Sequence, residues 1–452
     1  MPTAARAVSG SETRVNTPPL TLSRLARFWL PLQATWLMMA VEGPFLAMFI
    51  ARMDAPKVNL AAYGVAYSFA IISEAPVIMM MSASTALVDG RPAYRALRRF
   101  AHTLSAALTL GVGLALLTPA MDWVLSGLLG LDAHVADLTD TALWLLVPWP
   151  AAIGYRRFYQ GILIRAGLTR RVAWGTVVRL VTMATAATVA ATNGMAGVLV
   201  GSVALSSGVC AEAVATRFMA RAAVRDLAET SSSDQDLSWR GLSSFYWPLA
   251  LTSTISLAVH PMVTFFMGRA QAPLESLATL PVLNALIFVF RTPALAYQEV
   301  VIATLGEDRR HLPQVLRFAG LLAVGATVPL VVIAWSPLWR VWFETISGLS
   351  PELAAYTMWP VRILSLMPAL SLLLNLERSL LVHGRRTPPI TMASVVEVVG
   401  IAGCLAVGVL WLDAVGVTVA AVAYLVGRVL ANVTLARPAL AIIRARGRNI
   451  TE

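Results

Sequence analysis

Phe28-Trp-Leu-Pro-Leu32 recurs 217 residues later as Phe245-Tyr-Trp-Pro-Leu249. The same spacing relates Pro44 to Pro261, Arg52 to Arg269, Pro56 to Pro273, Leu60 to Leu277, Pro76 to Pro293 and Gly167 to Gly384. At 218 or 219 residues, it relates Phe100 to Phe318, Gly197 to Gly416 and Gly208 to Gly427. Self-similarity at a fixed period indicates a repeated structural unit. The sequence therefore predicts two copies of one unit, at residues 28–223 and 245–437.

The composition is that of a membrane protein. Of the 452 residues, 58% are hydrophobic and 13% are charged, whereas soluble domains carry roughly 25% charged residues. The mean hydropathy is +0.71. So little polar surface excludes a soluble enzyme, a disordered scaffold and a secreted disulfide module. The two cysteines, Cys210 and Cys404, lie in apolar stretches and are typical of small buried hydrophobic residues.

Twelve apolar segments are long enough to cross a bilayer as helices. They span residues 28–50, 59–86, 101–119, 141–164, 172–191, 195–217, 245–268, 274–303, 314–336, 356–382, 389–411 and 415–437. The predicted fold is an all-α polytopic membrane protein with twelve transmembrane helices, six in each copy. An even number of spans per copy makes the two repeats parallel. Two such lobes around a central cavity are the architecture of many secondary transporters.

Arginines are concentrated in alternate loops and at both ends of the chain. The richer set includes Arg24, Arg27, Arg91, Arg95, Arg98, Arg99, Arg165, Arg170, Arg171, Arg217, Arg221, Arg225, Arg240, Arg309, Arg310, Arg385, Arg386, Arg444, Arg446 and Arg448. The opposite loops hold Arg52, Lys57, Arg269 and Arg340. The positive-inside rule then predicts that both termini are cytoplasmic. On this topology, residues 1–27, the linker at 224–244 and the tail at 438–452 are cytoplasmic, and the dispersed net charge of +11 argues against a nucleic-acid partner.

Two pairs of opposite charges occupy equivalent positions in the repeats. Glu74 corresponds to Arg291, and each precedes a paired proline by two residues; Arg179 corresponds to Glu397. A charge in the middle of a bilayer costs at least roughly 2.5–3.5 kcal/mol, so it needs a partner, a wet cavity or a ligand. Since groups related by a two-fold axis can meet near it, we predict that the side chains of Glu74 and Arg291 face the interlobe cavity, close enough to pair in at least one state. Each pair is either a substrate or gating site, or an ion pair that joins the lobes.

Other polar residues in the apolar segments are further candidates for a binding site. Glu42 and His260 lie beside prolines that permit a kink, and either could carry a coupling proton or simply bind the freed backbone. Arg156 and Arg157 could grip an anion or anchor the helix at the cytoplasmic side. Arg362 lies about one turn inside the outer end of its segment, where a long side chain can also reach the interface.

Motifs for other chemistries are absent from the sequence. The single lysine, Lys57, is followed by Val58, so the chain has no Walker A motif. His-Glu-x-x-His and Cys-x-x-Cys are also missing. We therefore expect no enzymatic activity, no catalytic residue, no metal site and no cofactor.

Three stretches resemble the MATE-like MOP exporter superfamily and, within it, the progressive ankylosis protein family. They are Leu60-Ala-Ala-Tyr-Gly-Val-Ala-Tyr-Ser68, Ser244-Phe-Tyr-Trp-Pro-Leu-Ala-Leu251 followed by His260-Pro261, and Pro360-Val-Arg-Ile-Leu-Ser-Leu-Met-Pro368. The resemblance implies a MATE-like fold and the export of organic anions such as pyrophosphate, ATP and citrate. It also strengthens the case for Arg362. The segment Tyr155-Arg-Arg-Phe-Tyr-Gln160 departs from that family and has a bacterial character.

These observations predict an alternating-access exporter of small organic or phosphorylated anions in a bacterial inner membrane. We expect a monomer among membrane lipids, with a proton or sodium as the coupling ion. The predicted substrate-binding residues are Arg291, Glu74, Arg362, Arg179, Glu42, His260, Arg156, Arg157 and Glu397. The alternatives are a cation-coupled multidrug efflux pump that uses Glu42 and Glu74, a flippase for lipid-linked precursors, and a receptor or scaffold without transport.

Overall fold

The computed structural model describes residues 20–229, 237–305, 311–383 and 388–448. Within these ranges all regular structure is helical, apart from one isolated β-bridge between Gln271 and Val415. Several features of the sequence lie outside the described residues: positions 1–19, the polar part of the linker at 230–236, Arg309, Arg310, Gly384, Arg385, Arg386 and positions 449–452.

The first copy contains ten α-helices, which we call the N-lobe. They are α1 Leu22–Ile50, α2 Pro56–Glu74, α3 Met80–Leu87, α4 Arg91–Leu116, α5 Pro119–Asp122, α6 Ala133–Leu146, α7 Trp149–Arg165, α8 Thr169–Thr192, α9 Gly197–Met219 and α10 Arg221–Arg225. A π-helix at Trp123–Leu128 follows α5.

The second copy repeats this order, and we call it the C-lobe. Its helices are α11 Trp239–Leu257, α12 Val259–Met267, α13 Pro273–Thr304, α14 Leu312–Trp335, α15 Leu338–Arg340, α16 Pro351–Ala355, α17 Met358–Leu364, α18 Met367–His383, α19 Pro388–Ala406 and α20 Gly416–Arg448. Two π-helices, Val341–Ile346 and Val407–Trp411, extend α15 and α19.

All twelve apolar segments fold as helices, which confirms the predicted fold class. In the described part of the chain, nine helical stretches are long and apolar enough to span a membrane unaided, and the bent pair Pro351–Leu364 and Met367–Val382 makes ten. The second and fourth predicted segments are the remaining two, and each is divided, into α2 with α3 and into α6 with α7. Proline accounts for both divisions, because it lacks the amide hydrogen that an uninterrupted helix needs: Pro76 lies in the first break, and Pro148 in the second.

Equivalent side chains perform equivalent structural tasks in the two lobes. In the N-lobe, the side chain of Asn59 accepts a hydrogen bond of 2.9 Å from the backbone amide of Val198, in the first turn of α9. In the C-lobe, Ser276 accepts one of 3.1 Å from the amide of Val417, in the first turn of α20. Each bond satisfies one of the unpaired amides at a helix start. The repeat read from sequence is therefore a repeat of contacts as well as of residues.

Two helices, α2 and α13, meet at the outer side of the interface between the lobes. Lys57 Nζ lies 2.5 Å from Glu275 Oε1, and Glu275 is one residue beyond the repeat equivalent of Lys57. Further along, Gly64 packs so tightly on Pro281 that an added Cβ would lie 2.8 Å from the proline Cγ. Since Gly64 and Pro281 are equivalent positions, the pseudo-two-fold axis passes between these helices.

The inner parts of α2 and α13 are instead held by the first helix of the opposite lobe. The Tyr246 hydroxyl of α11 donates a hydrogen bond of 2.6 Å to the carbonyl of Pro76. In the symmetry-related contact, Trp29 Nε1 of α1 donates to the carbonyl of Pro293 at 3.4 Å. The carbonyl of Ala75, released by the break after α2, accepts a bond of 2.7 Å from Ser253. The lobes therefore contact each other at both the outer and the inner side.

Candidate functional site

Six charged side chains from five helices converge inside the N-lobe, and we call them the N-lobe cluster. They are Glu42, Glu74, Arg156, Arg157, Arg179 and Glu212. Arg179 lies ten residues into α8, or about 15 Å along the helix, which is near the middle of a hydrocarbon core of about 30 Å. The cluster therefore lies at mid-membrane depth.

Glu212 is at the centre of this network. It pairs with Arg156 by a short ion pair and with Arg179 at 3.7 Å, and its other oxygen accepts a hydrogen bond of 3.1 Å from Gln160 Nε2. Arg179 also binds Glu42 Oε2 at 2.6 Å. The Glu212 side chain is 1% exposed. Burial at this depth requires such partners, because an isolated buried charge is strongly unfavourable.

Glu74 and Arg157 complete the cluster without forming an ion pair within 4.0 Å among the described residues. Glu74 Oε2 accepts a hydrogen bond of 2.9 Å from Trp149 Nε1, and the three arginines act on it electrostatically. Arg157 points a guanidinium nitrogen at Met81 Sδ, 3.7 Å away. With three arginines and three glutamates, the N-lobe cluster is formally neutral.

A second group of charges lies inside the C-lobe, and we call it the C-lobe cluster. It consists of Arg291, Arg378, Glu397 and Arg428. Arg428 pairs with Glu397 at 2.9 Å, and both side chains are 14% exposed. The other two arginines bind hydroxyl groups: Arg291 Nε donates to Ser371 Oγ at 3.2 Å, and Arg378 donates to Ser394 Oγ at 3.3 Å. Among the described residues, no carboxylate lies within 4.0 Å of Arg291 or Arg378.

The two clusters therefore differ in net charge. The C-lobe cluster holds three arginines against one glutamate, a formal charge of +2, whereas the N-lobe cluster is neutral. Glu377 adjoins Arg378 in sequence but forms no ion pair with it within 4.0 Å, so we do not count it in the cluster. Tyr424 and His260 border the C-lobe cluster and experience the field of Arg291. The C-lobe thus presents excess positive charge with polar, neutral neighbours.

The two interlobe pairs considered from sequence do not form in this conformation. Glu74 binds Trp149 of its own lobe, and Arg291 binds Ser371 of its own lobe. Arg179 likewise pairs with two glutamates of the N-lobe, while Glu397 pairs with a C-lobe arginine. Each charge meets a partner on a neighbouring helix of the same lobe. The ion pair that does join the lobes is Lys57–Glu275, between α2 and α13.

Arg362, a predicted substrate-binding residue, belongs to neither cluster in this structure. Its Nε donates to the carbonyl of Ala334 at 3.2 Å, and its guanidinium lies 5.1 Å from the ring of Trp335 and 5.2 Å from that of Trp359. Both rings are more than half exposed. This is the environment of an interfacial arginine whose long side chain reaches polar groups at the membrane edge.

Sequence reasoning missed two residues that organise these clusters, Glu212 and Arg428. Each follows a glycine of the repeat, at four residues after Gly208 and one residue after Gly427. An added Cβ on Gly208 would lie 3.1 Å from the carbonyl of Arg179, and one on Gly427 would lie 2.9 Å from the carbonyl of Glu397. Both glycines allow close helix packing beside a charged residue. A glycine that recurs at the equivalent position of both repeats, near a charged residue in an apolar helix, could have indicated Glu212 and Arg428 from sequence.

The overall architecture can be compared with solved structures. One is the lipid II flippase MurJ in an inward closed conformation, with a TM-score of 0.72, 14% identity, and coverage of 90% of this chain and 86% of that chain. The chain shares its fold with this protein and with transporters of the MOP superfamily. A MOP superfamily transporter from Pyrococcus furiosus, described as having a reversed polarity of its binding pocket, matches with a TM-score of 0.68 and 14% identity over 95% of this chain and 97% of its own.

An inward-facing multidrug resistance MATE transporter of the MOP superfamily aligns as well. Its TM-score is 0.62 at 15% identity, over 96% of this chain and 97% of that chain. No family model and no curated protein sequence matches the chain. At these identities the shared property is the MOP fold, with its twelve membrane helices.

Proposed function

We propose that this protein is a secondary-active exporter of small multivalent anions, which bind against the C-lobe cluster. The observation that carries the proposal is the uncompensated charge of Arg291 and Arg378 inside the membrane. Each such charge costs at least roughly 2.5–3.5 kcal/mol when it lacks a partner. A bound anion would supply the missing counter-charge.

The chemistry of arginine narrows the class of anion. A guanidinium offers a planar fork of donors that matches carboxylate and phosphate oxygens, and it stays charged in a buried site. Arg291 and Arg378 have no carboxylate partner among the described residues, and Arg428 lies beside them. This arrangement suits a ligand that carries at least two negative charges. Organic and phosphorylated anions of the citrate, pyrophosphate or nucleotide type meet that requirement. This substrate class agrees with the resemblance of the sequence to progressive ankylosis proteins.

The repeat architecture supports transport by alternating access. Both lobes contribute to the outer and the inner contacts, so a rocking motion that opens one side can close the other. Coupling to a proton or sodium gradient, a monomeric assembly and residence in a bacterial inner membrane complete the proposal. A transporter needs no catalytic residue, and none is assigned.

The multidrug alternative would use Glu42 and Glu74 to bind a cationic drug. In the N-lobe cluster these carboxylates are already opposed by an equal number of arginines, which leaves no excess negative charge for such a ligand. A lipid-linked precursor is the second candidate, because a phosphate at a lipid headgroup would satisfy the same two arginines. The MurJ similarity is one of fold, so the choice depends on the substrate assay.

Transport into proteoliposomes tests the proposal. Purified protein should exchange labelled citrate or pyrophosphate, and Arg291→Gln should reduce the rate at least about tenfold, since a hydrogen bond to a charged group contributes about 1.5–3 kcal/mol. Arg95→Gln removes an exposed arginine outside both clusters and should transport normally. Thermal denaturation of both variants verifies that they are folded.

Three results would count against anion export. Folded Arg291→Gln protein could transport at the rate of the parent, which would remove this arginine from the site. The parent could move cationic dyes but no anion, which would favour the multidrug alternative. Translocation confined to lipid-linked phosphates would favour the flippase.

A further inference from the structure

Two adjoining clefts open at the arginine-rich end of the N-lobe, and no residue of either charge cluster lines them. One has a volume of about 510 Å³ and lies at the end of α9 and along α10. The other, of about 490 Å³, extends toward the ends of α3 and α7. They share Arg171 and Ala222, so they form one continuous depression, which we call the α10 cleft.

The α10 cleft carries excess positive charge. Its ionisable lining consists of Arg165, Arg171, Arg221, Arg225 and Asp226. The acid offsets little of this charge, because its pair with Arg225 is 3.6 Å long and both side chains are more than two-thirds exposed. Four arginines and one aspartate leave a net charge of +3 at the cleft.

Backbone carbonyls hold two of these arginines in place without neutralising them. Arg171 donates to the carbonyl of Met219 at 2.7 Å. Arg165 donates to the carbonyls of Thr85 and Ala86 at 2.9 and 3.1 Å. A carbonyl bond orders a guanidinium while it keeps its full charge and its remaining donors. Both arginines are therefore positioned to receive an anionic group from outside the protein.

Exposed apolar side chains continue from the cleft along the outside of the lobe. The guanidinium of Arg221 stacks on Phe218 at 4.0 Å from the ring centroid. One turn deeper on α9 lies Val214, and one turn deeper than Arg171 on α8 lies Trp174; Phe218, Val214 and Trp174 are each more than half exposed. This surface faces lipid, because both helices are membrane spans. Fixed positive charge thus meets lipid-facing apolar surface at the level of the headgroups.

We propose that the α10 cleft binds the phosphate headgroup of an anionic phospholipid, with the acyl chains along Phe218 and Val214. Basic pockets at the cytoplasmic ends of membrane helices are suited to such headgroups. A soluble phosphate would use the arginines but not the adjoining apolar surface. This site is independent of the anion export proposed above, since it shares no residue with the C-lobe cluster.

Lipid titration in detergent, followed by native mass spectrometry, tests this site. Phosphatidylglycerol should remain bound to the parent protein and raise its melting temperature, whereas phosphatidylcholine should do neither. The double variant Arg221→Gln/Arg225→Gln removes two exposed charges from the cleft. Since each basic contact near an anionic headgroup contributes about a fivefold factor in affinity, this variant should bind phosphatidylglycerol about 30-fold more weakly.

The matched control is Arg95→Gln/Arg99→Gln, which removes two exposed arginines on the same side, outside the cleft. It should retain the affinity of the parent. An equal loss in both double variants would show diffuse charge attraction and would overturn the proposal. Displacement of the lipid by inorganic phosphate, with the same rise in melting temperature from phosphate alone, would identify a site for soluble anions and would also overturn it.

Discussion

Arg52 and Arg269 occupy equivalent repeat positions, and each donates hydrogen bonds to the opposite lobe at the outer side. Their removal should favour outward opening. Arg52 extends from the end of α1 and donates to the carbonyls of Thr345 and Ile346 in the C-lobe, at 2.8 and 2.7 Å. Arg269 occupies the equivalent position and donates to the carbonyl of Gly127 in the N-lobe, at 3.4 Å. Both acceptor segments are the π-helices that cap the outer side of each lobe.

The distances predict an unequal effect of the two arginines. A hydrogen bond from a charged donor contributes about 1.5–3 kcal/mol, and water competes at this exposed site, so we assign about 1 kcal/mol to each bond of Arg52. Arg52→Gln should then destabilise the outer-closed state by about 2 kcal/mol, which raises the ratio of open to closed molecules about 30-fold. The single long bond of Arg269 predicts less than about a fivefold change for Arg269→Gln.

Spin labels on opposite lobes can measure this ratio. Cysteines at Asp54 and Glu352, both exposed, would be introduced into a background without the native cysteines. Pulsed electron paramagnetic resonance measures the distance between the two labels. The population with the longer distance should increase in Arg52→Gln and hardly change in Arg340→Gln. Arg340 is the control, because it is an exposed outer arginine that stacks on the neighbouring Trp339. Unchanged distances in Arg52→Gln, or equal changes in both variants, would refute a role for Arg52 in closure.

Two further substitutions test the packing around the charge clusters. Glu212→Gln should lower the free energy of unfolding by about 3–5 kcal/mol, because it leaves two buried arginines short of a counter-charge; Glu229→Gln, in an exposed pair, should cost less than about 1 kcal/mol in the same denaturation assay. Gly427→Ala should destabilise by about 1–3 kcal/mol, because its Cβ would meet the carbonyl of the facing helix at 2.9 Å. A Cβ at Gly403 would meet open space, so Gly403→Ala should raise the free energy of unfolding by up to about 1 kcal/mol through helix propensity. If Gly427→Ala and Gly403→Ala changed the free energy of unfolding in the same direction, the packing argument would be contradicted.

The fold could be read from sequence because the bilayer leaves few choices. Every span needs about 20 apolar residues, and backbone polar groups must be satisfied within helices. Twelve long apolar segments and a repeat spacing of 217–219 residues therefore predicted the architecture. Hydropathy alone did not locate the divisions at Ala75–Met79 and before Trp149, because it measures composition and not helix continuity.

The charges predicted from sequence could be assigned to their helices, whereas their partners could not be predicted, and Glu212 and Arg428 were missed. Successive residues turn by about 100° around a helix, so a small rotation decides which neighbour a side chain meets. Arg179 could be assigned to α8 from sequence, whereas its contact with Glu42 depends on how α1 and α8 pack. Arg362 could likewise be assigned to its helix, but its orientation toward Trp335 could not be predicted.

Opposite charges of the two lobes meet near the axis where the helices themselves meet. Lys57 and Glu275 lie at the outer starts of α2 and α13, where these helices touch, and they pair. Glu74 and Arg291 lie about 25 Å further along the same helices. There the carbonyls of Pro76 and Pro293, two residues beyond each charge, are held by the opposite lobe's first helix. Because α1 and α11 pack against α13 and α2 at this depth, Glu74 binds Trp149 and Arg291 binds Ser371, each within its own lobe. The excess positive charge therefore remains in the C-lobe cluster.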